Sequence, residues 1–212
     1  MTASEHTAAA NREVANSLPL DDPADFDRVH HGRIDGLERL VLTHDAHGHT
    51  ILDTGDWDFL DADAPDSVNP SLWRQARLNR EHGLYRLHER IHQVRGYDLA
   101  NLTVITGDTG WIVIDPLTSS ESARAAMDLV TEHLGERPVR AVIYTHSHID
   151  HFAGIAGVVD PAAIASGEVP VVAPEGFLVE AVSENVIAGP AMSRRAGYMY
   201  GRHLERGPEG MV

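Results

Sequence analysis

The sequence predicts an α/β (α+β) fold, a sheet covered by helices, and three observations carry that expectation. Residues 101–116 read NLTVIT-GDTG-WIVIDP, two β-branched runs around a Gly-Asp-Thr-Gly turn of hairpin composition. Residues 119–134, SSESARAAMDLVTEHL, repeat apolar positions at helical spacing. Residues 139–146, VRAVIYTH, then form an apolar, β-rich run that reads as a buried strand. A helix that returns to a strand in this way lays helices on a sheet. The 212 residues are 42% hydrophobic, enough for a sizeable core.

The remaining elements follow in order. Residues 1–27 are Ala-rich, then acidic, and break at Pro-Leu-Asp-Asp-Pro, which suggests a short helix or a loose arm. Residues 28–56 suggest a strand pair, LERLVL and TILD, joined by a turn at HDAHGH. An acidic, Pro-containing loop is expected over 57–70. Asn69-Pro70-Ser71 opens a helix with Leu72, Gln75, Ala76 and Asn79 on one face and Gly83 as its stop. LYRLHERIHQVRG does not alternate cleanly, so a turn is expected at His88-Glu89. Ser119 or Ser120 caps the amphipathic helix and Gly135 ends it. Past residue 151, FAGIAGVVD reads as a small-residue helix, VPVVAPEG as a short strand, and GFLVEAVSENVIAG as a helix closed by Gly189-Pro190. The tail from Ala191 loses periodicity.

Composition excludes several functions. With 17 basic and 32 acidic residues the net charge is −15, which argues against nucleic acid and against a polybasic membrane anchor. The absence of cysteine removes disulfides and thiolate metal sites. The first residues lack a basic segment followed by an apolar run, so no secretory signal is expected. No stretch approaches the ~20 apolar residues of a membrane span. The expectation is a soluble, cytoplasmic protein, with a periplasmic or secreted location left open.

Chemistry concentrates in YTHSHIDHFAG, residues 144–154. The strand ends near Tyr144, and ligands gather at the carboxyl ends of strands in open α/β sheets. In an extended segment His146 and His148 project to the same side, so two imidazoles can share one metal. Asp150 and His151 fall where the chain turns and point elsewhere, toward a second metal. Imidazole with carboxylate suits zinc, and less exclusively manganese or iron. With 14 histidines some clustering is cheap. THDAHGH, with His44, His47 and His49, has loop composition and lacks the strand context of HSHIDH.

HSHIDH and its preceding strand resemble the H-x-H-x-D-H signature of the metallo-β-lactamase superfamily. GDTGWIVIDPLTS is similar to that superfamily's strand-turn-strand ending in an Asp. VNPSLWRQARLNREHGLY, QVRGYDLANLTVITGDTGWIVIDPLTS, YTHSHIDHFAGI and SENVIAGPAMSRRAGYMYG resemble its alkylsulfatase branch, zinc enzymes that cleave dodecyl sulfate and related esters. The likeness runs from about residue 68 onward and more loosely upstream.

The resemblance implies an αββα sandwich of which only the first part is present. Residues 1–27 would be an amino-terminal arm, and 28–212 a domain truncated before the later metal ligands, the dimerisation region and a carboxyl-terminal domain. It implies two Zn2+ ions, His146 and His148 on the first and Asp150 and His151 on the second, with Asp150 also catalytic. A metal-activated water would hydrolyse an amphiphilic alkyl sulfate ester to alcohol and sulfate, in a homodimer when full length. Asp115 would orient a ligand from below, or act as a turn aspartate. Trp73, Phe152, Tyr198 and Tyr200 could wall an alkyl channel or serve as core. Arg194 and Arg195 could meet the sulfate or hold surface ion pairs, and Asn101 could line the site. The only histidine after His151 is His203, which matches no family ligand. The chain is therefore expected to need its missing downstream part for activity. Two alternatives stay open: another hydrolase of the same fold, acting on a thioester, lactone or phosphodiester, and a non-catalytic metal-binding fragment.

Overall fold

A computed structural model describes residues 3–201, 203–205 and 207. The helices are α1 (Glu5–Ser17), α2 (Ala24–Val29), α3 (Pro70–Asn79), α4 (Ser120–Leu134), α5 (Pro161–Ala165), α6 (Phe177–Val182) and α7 (Gly189–Met199). The strands are β1 (Arg33–Asp35), β2 (Val41–Thr43), β3 (Thr50–Asp53), β4 (Gly83–His88), β5 (Ile91–Arg95), β6 (Leu102–Thr106), β7 (Trp111–Ile114), β8 (Val139–Ile143) and β9 (Val171–Val172). Contacts divide the chain into two compact units. One holds residues 1–31, 54–81 and 193–212, and the other residues 32–53 and 82–192.

The second unit is built on a seven-stranded sheet ordered β1-β4-β5-β6-β7-β8-β9. Its strands pair antiparallel from β1 to β7, and the last two joins, β7 to β8 and β8 to β9, are parallel. The expected hairpin is β6–β7, with Val104 opposite Val113 and the Gly107 N–H closing on the Gly110 carbonyl at 2.8 Å. The turn expected at His88-Glu89 falls one residue later, at Glu89-Arg90. A parallel return from β7 to β8 needs a crossover, which α4 supplies. Ser119 caps α4, its Oγ accepting the Ser122 N–H at 3.0 Å, and Gly135 ends it at φ 82°.

One face of this sheet carries the core. Leu84, Val94, Leu102, Val104, Trp111 and Val113 pack with Ala126, Met127, Leu129 and Val130 of α4. The β2–β3 hairpin, which forms its own two-stranded sheet, adds Leu40 and Leu42 to that core. The opposite face presents Ile91, Ile105 and Ile112 in one row and Thr103, Ile114 and Ile143 in the next, all half-buried.

The first unit is helical where described. Trp73 is its buried anchor: its indole N–H donates to the Ala62 carbonyl at 3.1 Å and its ring meets Phe59 edge-on. Arg74 donates to the Asp25 carboxylate at 2.9 Å and to the Leu20 and Asp22 carbonyls.

Several sequence expectations are corrected. The buried position of α3 is Trp73, not the Leu72 face, and Leu72 is exposed. A large aromatic with an indole donor to satisfy decides which side turns inward. Gly83 does not stop that helix. It opens β4 at φ 134°, where a Cβ would meet the Asp35 carbonyl oxygen at 2.2 Å. The loop expected over 57–70 begins inside a 3-10 helix, Thr54–Asp61, formed around buried Leu60. FAGIAGVVD holds one 3-10 turn, Ala153–Gly157, rather than an α-helix, and a shorter 3-10 turn, Ile149–His151, precedes it. Gly189-Pro190 opens α7 instead of closing the previous helix, because proline is preorganised for a first helical turn.

Candidate metal centre

The site grows from the end of β8 and the loop after β7. Past Ile114 the chain enters Asp115 at φ 56°, and Leu117 follows at φ 64°. Left-handed backbone at two non-glycine residues costs on the order of 1–3 kcal/mol each. It persists here because Leu117 and Pro116 are fully buried and the Asp115 N–H donates to the Ile143 carbonyl at 3.0 Å. The result is a buried carboxylate beneath the turn that leaves β8. Asp115 Oδ1 accepts the Thr145 N–H at 2.8 Å, and Oδ2 accepts the Thr145 hydroxyl at 2.7 Å. Oδ2 also lies 2.9 Å from His151 Nδ1.

Glycines let the turn after His151 approach α4. A Cβ on Gly154 would meet the Pro116 and Ser119 carbonyl oxygens at 2.2 and 2.5 Å, and one on Gly157 the Ser120 carbonyl oxygen at 2.1 Å. Phe152 leaves the turn on the other side and packs with Phe177 at 5.2 Å and Tyr144 at 5.8 Å between ring centroids. Burial pushes the Tyr144 hydroxyl up to about 12, so it stays protonated at ordinary pH.

The four predicted ligands meet in this turn. The His146 ring centroid lies 4.0 Å from that of His151 and 4.7 Å from that of His148. His146 Nε2 stands 3.1 Å from His148 Nδ1, and His151 Nε2 stands 3.3 Å from Asp150 Oδ2. Donor atoms sharing a tetrahedral zinc at 2.0–2.2 Å lie about 3.3 Å apart, so both separations suit a shared ion. Electrostatics points the same way. The hydrogen on His151 Nδ1 goes to Asp115, which leaves the Nε2 lone pair facing the Asp150 carboxylate. Two acceptors so close need a cation or a proton between them.

Among the described residues, no group of three or more His, Cys, Asp or Glu side chains is arranged to hold a metal ion. The donor chemistry therefore fits as two pairs, each short of a closed shell. Two residues that the sequence did not single out also touch the turn. Thr145 Oγ1 lies 2.9 Å from His146 Nδ1. Glu184, in a π-turn over Ser183–Ile187, brings its Oε1 to 3.8 Å from His148 Nε2. Thr145 directly precedes the motif and was within reach of sequence reasoning. Glu184 stands 36 residues beyond His148, inside the SENVIAG stretch of the family resemblance, and no spacing tied it to the motif.

Asn101 is exposed just ahead of β6. Trp73, Arg194, Arg195, Tyr198, Tyr200 and His203 belong to the other compact unit. There Trp73 is core, and Tyr198 is 94% exposed. In the β2–β3 turn the His44 ring stacks on His49 at 5.0 Å and lies tilted 4.8 Å from His47, and His44 Nδ1 accepts the Ala46 N–H at 3.1 Å. That hydrogen bond occupies the lone pair a metal would use.

The fold and this motif lead to the metallo-beta-lactamase superfamily, which residues 95–197 match. More particularly, the chain is related over nearly its whole length to alkylsulfatases and corresponds to their amino-terminal portion. An (R)-specific secondary-alkylsulfatase of Pseudomonas sp. is 46% identical over 211 residues, 99% of this chain and 32% of the relative. A linear primary-alkylsulfatase of Pseudomonas sp. is 46% identical over 99% of this chain and 31% of its own length. An alkyl/aryl-sulfatase of Saccharomyces cerevisiae is 43% identical over 97% and 32%. The solved structure of a stereoselective inverting sec-alkylsulfatase from Pseudomonas sp. superposes with a TM-score of 0.90 at 46% identity, covering 98% of this chain and 33% of that one. The chain thus spans about a third of the length of these relatives. The family resemblance read from the four sequence stretches is borne out. Among the described residues, no helix is long and apolar enough to cross a membrane.

Proposed function

We propose that this chain carries the metal-binding turn of an alkylsulfatase, which hydrolyses alkyl sulfate esters to alcohol and sulfate. The observation that carries the reading is the 46% identity, across 99% of the chain, to sulfatases of both secondary and primary alkyl esters. His146 and His148 would hold one zinc ion, and Asp150 and His151 a second. Zinc bound there would supply a water of lowered pKa and positive charge against the sulfate oxygens. Asp115 keeps His151 oriented, as carboxylates behind metal-bound histidines do. Phe152, Tyr144 and Phe177 offer an apolar wall beside the turn, suited to an alkyl chain.

Each donor pair needs further ligands, so we assign catalysis to a polypeptide longer than these 212 residues. A cytoplasmic homodimer completes the proposal. One relative is an inverting enzyme. Inversion requires attack at the carbinol carbon with C–O cleavage, and we extend that to this chain for secondary esters.

The test replaces the corresponding third of the Pseudomonas secondary-alkylsulfatase with this chain. The chimera should release sulfate from dodecyl sulfate or a secondary alkyl sulfate, and His148→Ala should lower the rate at least about 100-fold. In 18O-water the label should enter the alcohol of a secondary ester. The bare chain should bind zinc substoichiometrically after dialysis and release no sulfate. A folded, zinc-loaded chimera that cleaves neither ester would overturn the reading and favour another hydrolase of this fold. A bare chain with two tightly held zinc ions would refute the need for outside ligands.

A further inference from the structure

Thr145 has no assigned role, yet its hydroxyl sits between the buried carboxylate and the first histidine of the motif. Its Oγ1 lies 2.7 Å from Asp115 Oδ2 and 2.9 Å from His146 Nδ1. A hydroxyl has one hydrogen to donate. Asp115 receives every hydrogen bond it makes in this turn: the Thr145 N–H at Oδ1, and the His151 ring at Oδ2. An oxygen–oxygen separation of 2.7 Å to a carboxylate needs a hydrogen between the two atoms, so the Thr145 hydrogen points to Asp115. Only the lone pairs of Oγ1 then remain for His146. Its Nδ1 must be the donor, and its neutral ring is the Nδ1–H tautomer with the lone pair on Nε2.

We infer that Thr145 is a positioning residue, relaying Asp115 to His146 so that one buried carboxylate holds two histidines in the Nδ1–H form. His151 is held directly and His146 through the hydroxyl. Both rings thereby present Nε2, at 3.3 Å from Asp150 Oδ2 and 3.1 Å from His148 Nδ1 respectively. The Nδ1–H form is the less favoured tautomer of a free histidine side chain, so finding it twice in one turn reports a constraint. Fixing the tautomer and ring angle before a metal arrives removes an ordering step from binding. The backbone contributes as well. Thr145 N–H anchors to the same carboxylate, so the hydroxyl is carried on a segment already tied to Asp115. The tautomer assignment stands on hydrogen-bond geometry alone. Its consequence for metal binding rests on the alkylsulfatase reading.

The experiment is nitrogen-15 NMR of the histidine rings in the 212-residue chain, metal-free and at a pH where the rings are neutral. Wild type should show His146 and His151 as Nδ1–H. Thr145→Val keeps the shape and the backbone N–H but removes the hydroxyl. It should return His146 to the Nε2–H form, while His151 stays Nδ1–H and reports an intact turn. Thr145→Ser should restore the wild-type pattern. Zinc titration of the same proteins adds a second reading. Thr145→Val should bind about tenfold more weakly and Thr145→Ser nearly as wild type, the exposed hydroxyl placing the effect at the low end for a residue behind a ligand. His146 as Nε2–H in wild type, or as Nδ1–H in Thr145→Val, would overturn the proposal. If the tautomers behave as expected while zinc binds to none of the proteins, the relay stands and the zinc reading fails.

Discussion

Gly154→Ala isolates the packing that sets the ligand turn against α4. Two effects oppose each other. Gly154 lies outside the left-handed region, so alanine is conformationally allowed there and would stabilise by about 0.4–1 kcal/mol through the unfolded state. Against that, its Cβ would sit 2.2 Å from the Pro116 oxygen and 2.5 Å from the Ser119 oxygen. Both are roughly 1 Å short of an ordinary contact, and both are backbone atoms that no rotamer change can move. Overpacking of this kind costs about 1–3 kcal/mol, and rigid neighbours put it at the upper end. The steric term wins, leaving a net loss of about 2 kcal/mol and a Tm lower by about 4–8 °C. The displaced atoms flank Asp115 and the α4 cap, so zinc retention should fall in the same variant. Gly189→Ala is the control, since nothing lies within 4 Å of its Cβ position. Thermal unfolding of the two variants beside wild type decides the matter. A Gly154→Ala protein as stable as Gly189→Ala would refute the close-approach argument.

Two further outcomes follow from the same turn and its surroundings. Glu184 faces His148 Nε2 at 3.8 Å, too long for a hydrogen bond but within reach of one when Nδ1 carries a metal. Glu184→Gln should weaken zinc binding by up to about tenfold without moving the Tm, and unchanged zinc isotherms would remove Glu184 from the site. Glu121 is held down at about 2 by the Asp45 N–H and its own backbone N–H. A depressed carboxylate contributes stability in full above its unfolded value near 4.5 and loses it as pH falls toward 2. The urea midpoint of wild type should therefore exceed that of Glu121→Gln at pH 6, and the gap should close between about pH 4.5 and 2. A gap that persists at pH 2 would point to packing rather than charge.

Local signals in the chain were enough for much of the fold. The β6–β7 hairpin, α4 with its Ser119 and Gly135 caps, and strand β8 each follow from periodicity and turn chemistry within about fifteen residues, although only Val142 of β8 is buried. The four candidate ligands fall together for the same reason: HSHIDH concentrates them at the end of one strand, so no distant contact is needed to bring them together. The misreadings arose where packing overrides pattern. FAGIAGVVD has the small residues of a helix, but it lies close against the Pro116, Ser119 and Ser120 carbonyls and forms a 3-10 turn instead. Leu72 sits at helical spacing with Ala76, yet the larger Trp73 takes the interior. Gly83 reads as a stop and is a strand residue, because β1 leaves no room for a side chain there.

Sequence by itself determined which side chains could bind a metal and which family the chain resembles, since both rest on residue identity and short spacing. Tertiary structure alone decided how those side chains are held. Asp115 and His151 are 36 residues apart, and only the parallel pairing of β7 with β8 brings that carboxylate beneath the ligand turn. The same pairing gives Thr145 two partners at once, and the π-turn delivers Glu184 to His148. Hydrogen bonds and ring tautomers depend on distances of a few tenths of an ångström across the fold, and no one-dimensional pattern carries them.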